Sequence, residues 1–193
     1  SVVTLREPTF EAVTLGEEIG PLFVVADQHY HRNACFAVDD YSPEYTSGAG
    51  HPKGQLVPQT AVVRNLVALF CQVYDPCKVV GLHQREEIWF HRAIPIGTRM
   101  ALTGRYIDKY ERRGKGYVVF EAEARDAATG EMLVRQISTE IMRIPEGVQL
   151  GSASAPPPER RVSGVWPAQA QPLVRGDQDI SVGRPVQPLT KTA

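Results

Sequence analysis

Cysteine is scarce in this chain of 193 residues: Cys35, Cys71 and Cys77 are an odd number, and two fall in helix-like stretches. Such a set argues against a disulfide framework and against a metal-ligand cluster. Long apolar runs are missing as well. The longest, Leu66 to Cys71, falls far short of the roughly 20 residues that a bilayer span needs, so no membrane helix is expected. Nor does charge of one sign dominate. Against 21 Lys and Arg stand 22 Asp and Glu, a formal net charge of -1 with a pI near 6.5. Without a basic footprint, nothing argues for a nucleic-acid partner. The first residues, Ser1 to Pro8, lack a signal-peptide layout. A reducing cytoplasm is the expected location.

What is present divides into two parts. Composition shifts after Pro145, and seven of the 15 prolines fall in residues 151–193. Residues 1–146 are therefore expected to form one folded domain, and 147–193 an extended, Pro-rich tail. One further pattern crosses this boundary. Val13-Thr14-Leu15-Gly16-Glu17-Glu18-Ile19-Gly20-Pro21-Leu22 is echoed by Ile180-Ser181-Val182-Gly183-Arg184-Pro185-Val186-Gln187-Pro188-Leu189. Self-similarity at about one domain plus a linker suggests a duplicated architecture, the tail being the start of a second repeat. A chance match of short segments is the alternative.

Within the domain, Ile19 to Ala26 suits a strand, and Asp27 suits the N-cap of a helix ending at Val38. A Gly-rich loop through Ser47 to Gly54 follows. Pro58 then opens a second helix, Gln59 to Tyr74, which is apolar nearly all round and so predicts burial on every side. Asp75-Pro76 ends it. Strands are expected over Val79 to Ala93, Thr98 to Tyr110, Tyr117 to Arg125 and Glu131 to Ile144. In the third of these, Val118, Phe120, Ala122 and Ala124 alternate with Val119, Glu121, Glu123 and Arg125. One strand, a helical segment and then several antiparallel strands is an α+β pattern.

One stretch carries chemistry: Asp39-Asp40-Tyr41-Ser42-Pro43-Glu44-Tyr45. It resembles the hydration motif Gly-Asp-x-Asn-Pro-x-His of MaoC-like hot-dog enzymes. Leu15-Gly16-Glu17, Leu82 to Glu87, Phe90 to Thr98 and the Tyr110 to Gly114 turn extend the likeness over residues 10–146. It resembles most the N-terminal half of a double hot-dog hydratase, or the less catalytic subunit of a two-subunit dehydratase. The resemblance implies a hot-dog fold, an antiparallel sheet wrapped around one buried central helix. It also implies reversible water addition to a 2-enoyl thioester, on coenzyme A or an acyl carrier, with no cofactor and no metal. A homodimer or a heterodimer with another hot-dog subunit is implied too, since a lone sheet edge is a liability.

Carried onto this sequence, Asp40 takes the aspartate role and Tyr45 stands where the family has histidine. The backbone N–H groups of Gln59 and Thr60 would polarise the thioester carbonyl at the positive end of the helix. Two departures weaken independent catalysis. A phenol is a poor base near neutral pH, and Pro58 lacks a donor. The resemblance therefore favours a subunit that shapes the acyl channel beside a catalytic partner. Alternatives are an acyl-CoA thioesterase, against which the absence of Asp or Glu from Gln59 to Tyr74 counts, and a non-catalytic acyl-binding module.

Each residue also has a plainer reading. Asp40 suits the cap of a turn before Ser42-Pro43, and Tyr45 suits loop packing. Arg112, Arg113 and Lys115 suit a solvated hairpin tip, or else a contact to the phosphates of coenzyme A. His51 lies in the Gly-rich loop as a weak candidate for a displaced base. His83 and His91, eight apart on one strand, share a face but stand too far apart to act together, and satisfied sheet histidines are expected. His29 and His31 point to different faces of their helix, which excludes a simple metal pair.

Overall fold

A computed structural model describes residues 4–148. The Pro-rich tail and the second copy of the Val13–Leu22 pattern lie outside the described residues. Strand β1 (Ile19–Val25) leads to helix α1 (Gln28–Val38), and α2 (Pro43–Thr46) is a single turn. The two-residue strand β2 (Leu56–Val57) runs into α3 (Thr60–Val67), which tightens into a 3-10 segment over Ala68–Gln72. Then come β3 (Gly81–Phe90), β4 (Ile94–Pro95), β5 (Arg99–Arg112), β6 (Lys115–Asp126) and β7 (Met132–Met142).

Five strands form one antiparallel sheet in the order β1-β5-β6-β7-β3, and β2 pairs with β4 separately. The alternation expected in β6 holds only in part: Val118, Phe120, Ala122 and Ala124 are buried and Glu123 and Arg125 are not, but Val119 and Glu121 are buried as well, Glu121 beneath the guanidinium groups of Arg105 and Arg135. A two-residue turn joins β5 to β6. Arg113 and Gly114 both have positive φ, 51° and 72°, the mirror-image geometry that matches strand twist.

Helix α1 begins as its sequence requires, with the Asp27 carboxylate accepting from Tyr30 N–H at 2.8 Å. It buries only His31 and Cys35, and so lies on the surface. The central helix departs from expectation. It was expected to be buried all round as one helix from Gln59 to Tyr74, but it is one α-helical stretch and a 3-10 stretch. Val62, Leu66 and Leu69 are fully buried, while Thr60, Arg64, Ala68 and Gln72 are exposed. The cause is layering: a single sheet covers one side of the helix, and among the described residues no second layer covers the other.

The core sits between the two. Leu66 and Leu69 pack in one cluster with Met100, Leu102, Tyr106, Val118, Phe120 and Val134. The edges of the sheet differ. On β1 the register slips between Ile19 and Leu22, and Pro21 offers no N–H there. On β3, Leu82 and Phe90 are exposed large apolar residues, preceded by exposed Val79 and Val80.

Candidate functional site

The start of α3 is built by Gln55. Its side-chain N–H group donates to the carbonyls of Tyr45 (2.7 Å) and Thr46 (3.1 Å), and its Oε1 accepts from Gln28 Nε2 at 3.3 Å. Its own carbonyl accepts from Ile96 N–H at 3.1 Å. The Gln55 side chain thus ties α2 to the opening of α1, and its backbone carbonyl joins both to the β2–β4 ribbon. Gly48 lets the loop close on it: φ is +75°, and a Cβ there would stand 2.5 Å from the Gln55 nitrogen. Sequence reading missed Gln55, because a polar residue in a loop gives no sign of the carbonyls it will meet.

From Gln55 the chain passes through β2 and buried Pro58 into α3. The Pro58 and Gln59 carbonyls accept from Ala61 and Val62, so the helix is already formed at its first turn. The Gln59 side chain fixes that end by donating to the Arg92 carbonyl at 2.6 Å. Among the described residues, the N–H groups of Gln59 and Thr60 donate to no protein acceptor, and no acidic side chain lies in the first turn. Two donors at the positive end of a helix form an opening for an electron-rich oxygen.

Asp40 follows the left-handed cap Asp39 of α1. Its Oδ1 accepts from the Ser42 N–H at 3.1 Å and the Ser42 hydroxyl at 2.6 Å, so the carboxylate shapes its own turn. Tyr45 is half-buried on α2, and its carbonyl is held by Gln55. The structure therefore joins the Tyr45 turn to the approach of α3, and gives Asp40 a local partner.

The basic hairpin lies elsewhere. Gly116 beside the tip pairs with Met142, which pairs with Gly81 at the start of β3. The start of α3 lies beside Arg92, just past the other end of β3. Arg112, Arg113 and Lys115 are thus a strand's length, roughly 30 Å, from Gln59 of the same chain.

The histidines hold structural places. His51 accepts from Lys53 N–H at 3.2 Å, His29 meets Asn33 at 3.0 Å, and buried His31 meets the Cys35 sulfur at 3.5 Å. His83 lies between Glu86 and Glu140, as a satisfied sheet histidine should, but His91 does not share its strand face as expected: the register shifts between His83 and Arg85, β3 ends at Phe90, and His91 is exposed beyond it. Among the described residues no group of His, Cys, Asp and Glu is arranged to hold a metal ion, and no helix is long and apolar enough to cross a membrane.

No protein-family model and no curated protein matches the chain. Solved structures do. The R-hydratase PhaJ1 from Pseudomonas aeruginosa aligns over 79% of this chain and 96% of its own, at 14% identity and a TM-score of 0.60. The HadBC complex from Mycobacterium tuberculosis, a 3R-hydroxyacyl-ACP dehydratase, aligns over 66% of this chain and 96% of its own, at 17% identity and a TM-score of 0.57. A MaoC-like dehydratase from Rhodospirillum rubrum covers 71% of this chain and 98% of its own, at 11% identity and a TM-score of 0.57. Likeness at such identities concerns architecture: the chain shares the hot-dog fold of these proteins.

Proposed function

We propose that this chain is a subunit of an acyl-thioester hydratase or dehydratase, and that it forms a wall of the acyl channel beside a catalytic hot-dog partner. The observation that carries the reading is the pair of unengaged amides at Gln59 and Thr60; the Tyr45 turn is tied through Gln55 to the segment that leads into that helix. A thioester carbonyl placed there would gain the donors that its enolate-like transition state needs. In hydration, water oxygen bonds to the β-carbon, a proton goes to the α-carbon, and the carbon–carbon double bond is lost. Dehydration reverses each step. The water must be held and deprotonated, and Asp40, already engaged by Ser42 and paired in sequence with a phenol, suits that task poorly. The partner would supply the acid–base pair.

Pairing through β3 gives the basic hairpin a use. Two hot-dog domains joined at the same edge are related by a two-fold or pseudo-two-fold axis, so their β3 strands run antiparallel. The hairpin end of one domain then lies beside the α3 opening of the other. In that arrangement Arg112, Arg113 and Lys115 serve the phosphates of a thioester held by the partner.

The test measures crotonyl-CoA hydration by the loss of enoyl absorbance, with the chain alone and with the hot-dog protein encoded next to it. The chain alone should be inactive and the pair active. Asp40→Asn in this chain should leave the rate of the pair within about threefold, as expected for a group outside the transition state. Hydration by the chain alone that disappeared in Asp40→Asn would refute the subunit role. Hydrolysis of acyl-CoA without hydration would assign a thioesterase instead.

A further inference from the structure

The inner face of the sheet changes character between β6 and β7. Over β5 and β6 it is apolar, with Leu102, Val118, Phe120, Ala122 and Ala124 buried. Opposite Val118, Phe120 and Ala122, strand β7 places Glu140, Ser138 and Gln136; opposite those, β3 places His83, Glu86 and Ile88. Helix α3 lies over β5, β6 and β7. The polar rows therefore emerge from under the helix toward the open edge.

These groups form one cluster. His83 stands with Nε2 2.8 Å from Glu86 Oε2 and Nδ1 3.6 Å from Glu140 Oε1. Burial pushes the Glu86 carboxyl above the usual range, although Gln136 and His83 oppose the shift. Gln136 is only 1% exposed, and its Oε1 has no partner; the buried Glu86 Oε1 has none either. Both orphan atoms are acceptors. Unpaired buried acceptors destabilise a fold, and such groups are rare in proteins unless something else occupies them. The adjoining cavity, beneath Val67 and Phe70 and reaching Ser138 and Glu140, has a volume of about 10 Å³, room for about one water.

Polarity follows a sequence along β3. From the α3 opening outward, its inner positions are Phe90, Ile88, Glu86 and His83. Phe90 is 46% exposed although it faces inward, and Ile88 packs on the core. An apolar strip of about 13 Å therefore separates Phe90, at the Gln59 end, from Glu86, and Gln136 stands opposite Ile88 along its length.

We propose that this strip selects an acyl group bearing a hydroxyl far from the thioester. The inference rests on the acyl-thioester reading above. The hydrocarbon lies along Phe90 and Ile88, and the distal hydroxyl donates to Glu86 Oε1 or Gln136 Oε1. No bond is made or broken at this place; the cluster recognises the ligand.

The test is calorimetric titration of the full chain with two coenzyme A thioesters of equal chain length, one saturated and one hydroxylated near its far end. The hydroxylated probe should bind about tenfold more tightly or better, as a hydrogen bond to a buried carboxylate implies. Glu86→Met and Gln136→Met should each abolish that preference; Gln136→Met should leave or raise the melting temperature, because it removes an unpaired buried acceptor, whereas Glu86→Met also takes a partner from His83 and should lower it slightly. Glu86→Gln, which keeps an acceptor of the same shape, should retain part of it. Equal affinity for the two probes would overturn the selectivity alone. A preference that survived both methionine variants would overturn the assignment of the cluster. If neither thioester bound, the acyl-thioester reading would fall, and this inference with it. Loss of self-association in the methionine variants, without a ligand preference in the native chain, would make the cluster an interface instead.

Discussion

Gly104 sits on the inner face of β5, where a Cβ would run into the ring of Phe120 and stand 3.2 Å from the Glu121 carbonyl. Overpacking of this kind costs about 1–3 kcal/mol, so Gly104→Ala should lower stability by that much in denaturant unfolding. Adding Phe120→Leu should recover part of the loss; additive losses would mean that the ring is not the obstacle. Two phenols, half-buried Tyr30 and buried Tyr106, set a second expectation. Tyr30 donates to Asn65 Oδ1 at 2.7 Å, and burial pushes its pKa up to about 12; burial raises that of Tyr106 as well. A folded pKa above the unfolded value of about 10 favours the neutral phenol in the fold. This contribution is complete below about pH 10 and is lost as pH rises toward 12. Tyr30→Phe should flatten the alkaline fall in the urea midpoint, and an unchanged fall would remove Tyr30 from its cause. At this scale the sequence was partly legible. Asp40 before Ser42-Pro43 suggests a turn and forms one, because Asp and Ser bond their own backbone locally. Gln55 could not be found in the same way, since its partners are distant in sequence.

The long strands were legible because each is a long run bounded by turn residues, with period-two burial clear in β5 but blurred in β3 and β6, and the β5–β6 turn because Arg113-Gly114 accepts positive φ. Helix α2 and the β2–β4 ribbon were not. Elements of two to four residues have too little internal hydrogen bonding to be specified locally, and here they depend on Gln55 and on closure at Gly48. Register was also hidden, and with it the placement of the basic hairpin at the end of the sheet opposite Gln59. A prediction belongs to each of two elements. Strand β3 exposes 60% of Leu82 at an unpaired edge, so Leu82→Lys should shift the protein toward monomer in light scattering. An unchanged mass would place the contact elsewhere. At the hairpin, replacing Arg112, Arg113 and Lys115 together with alanine should weaken coenzyme A thioester binding by the assembled pair about tenfold or more, and reduce its salt dependence. It should leave the melting temperature nearly unchanged, since the three residues are exposed. An unaltered affinity would return the hairpin to a plain solvated tip.

Across the described residues, helix α3 rests on one five-stranded sheet, and the α+β order of elements was enough to anticipate that. What the order did not disclose is how much of the arrangement is left open. The apolar composition of residues 59–74 suggested burial on all sides, but composition does not say which chain provides the cover. The same holds for the sheet. Its β1 margin is irregular, carries Pro21, and has the Arg99 guanidinium lying 4.1 Å over the Phe23 ring. Its β3 margin is ten residues long and bears exposed Leu82 and Phe90. On the proposed pairing through β3, one margin of each sheet is used up when two domains meet, and the other is left with an irregular register, so the expected product is a closed pair and not a filament.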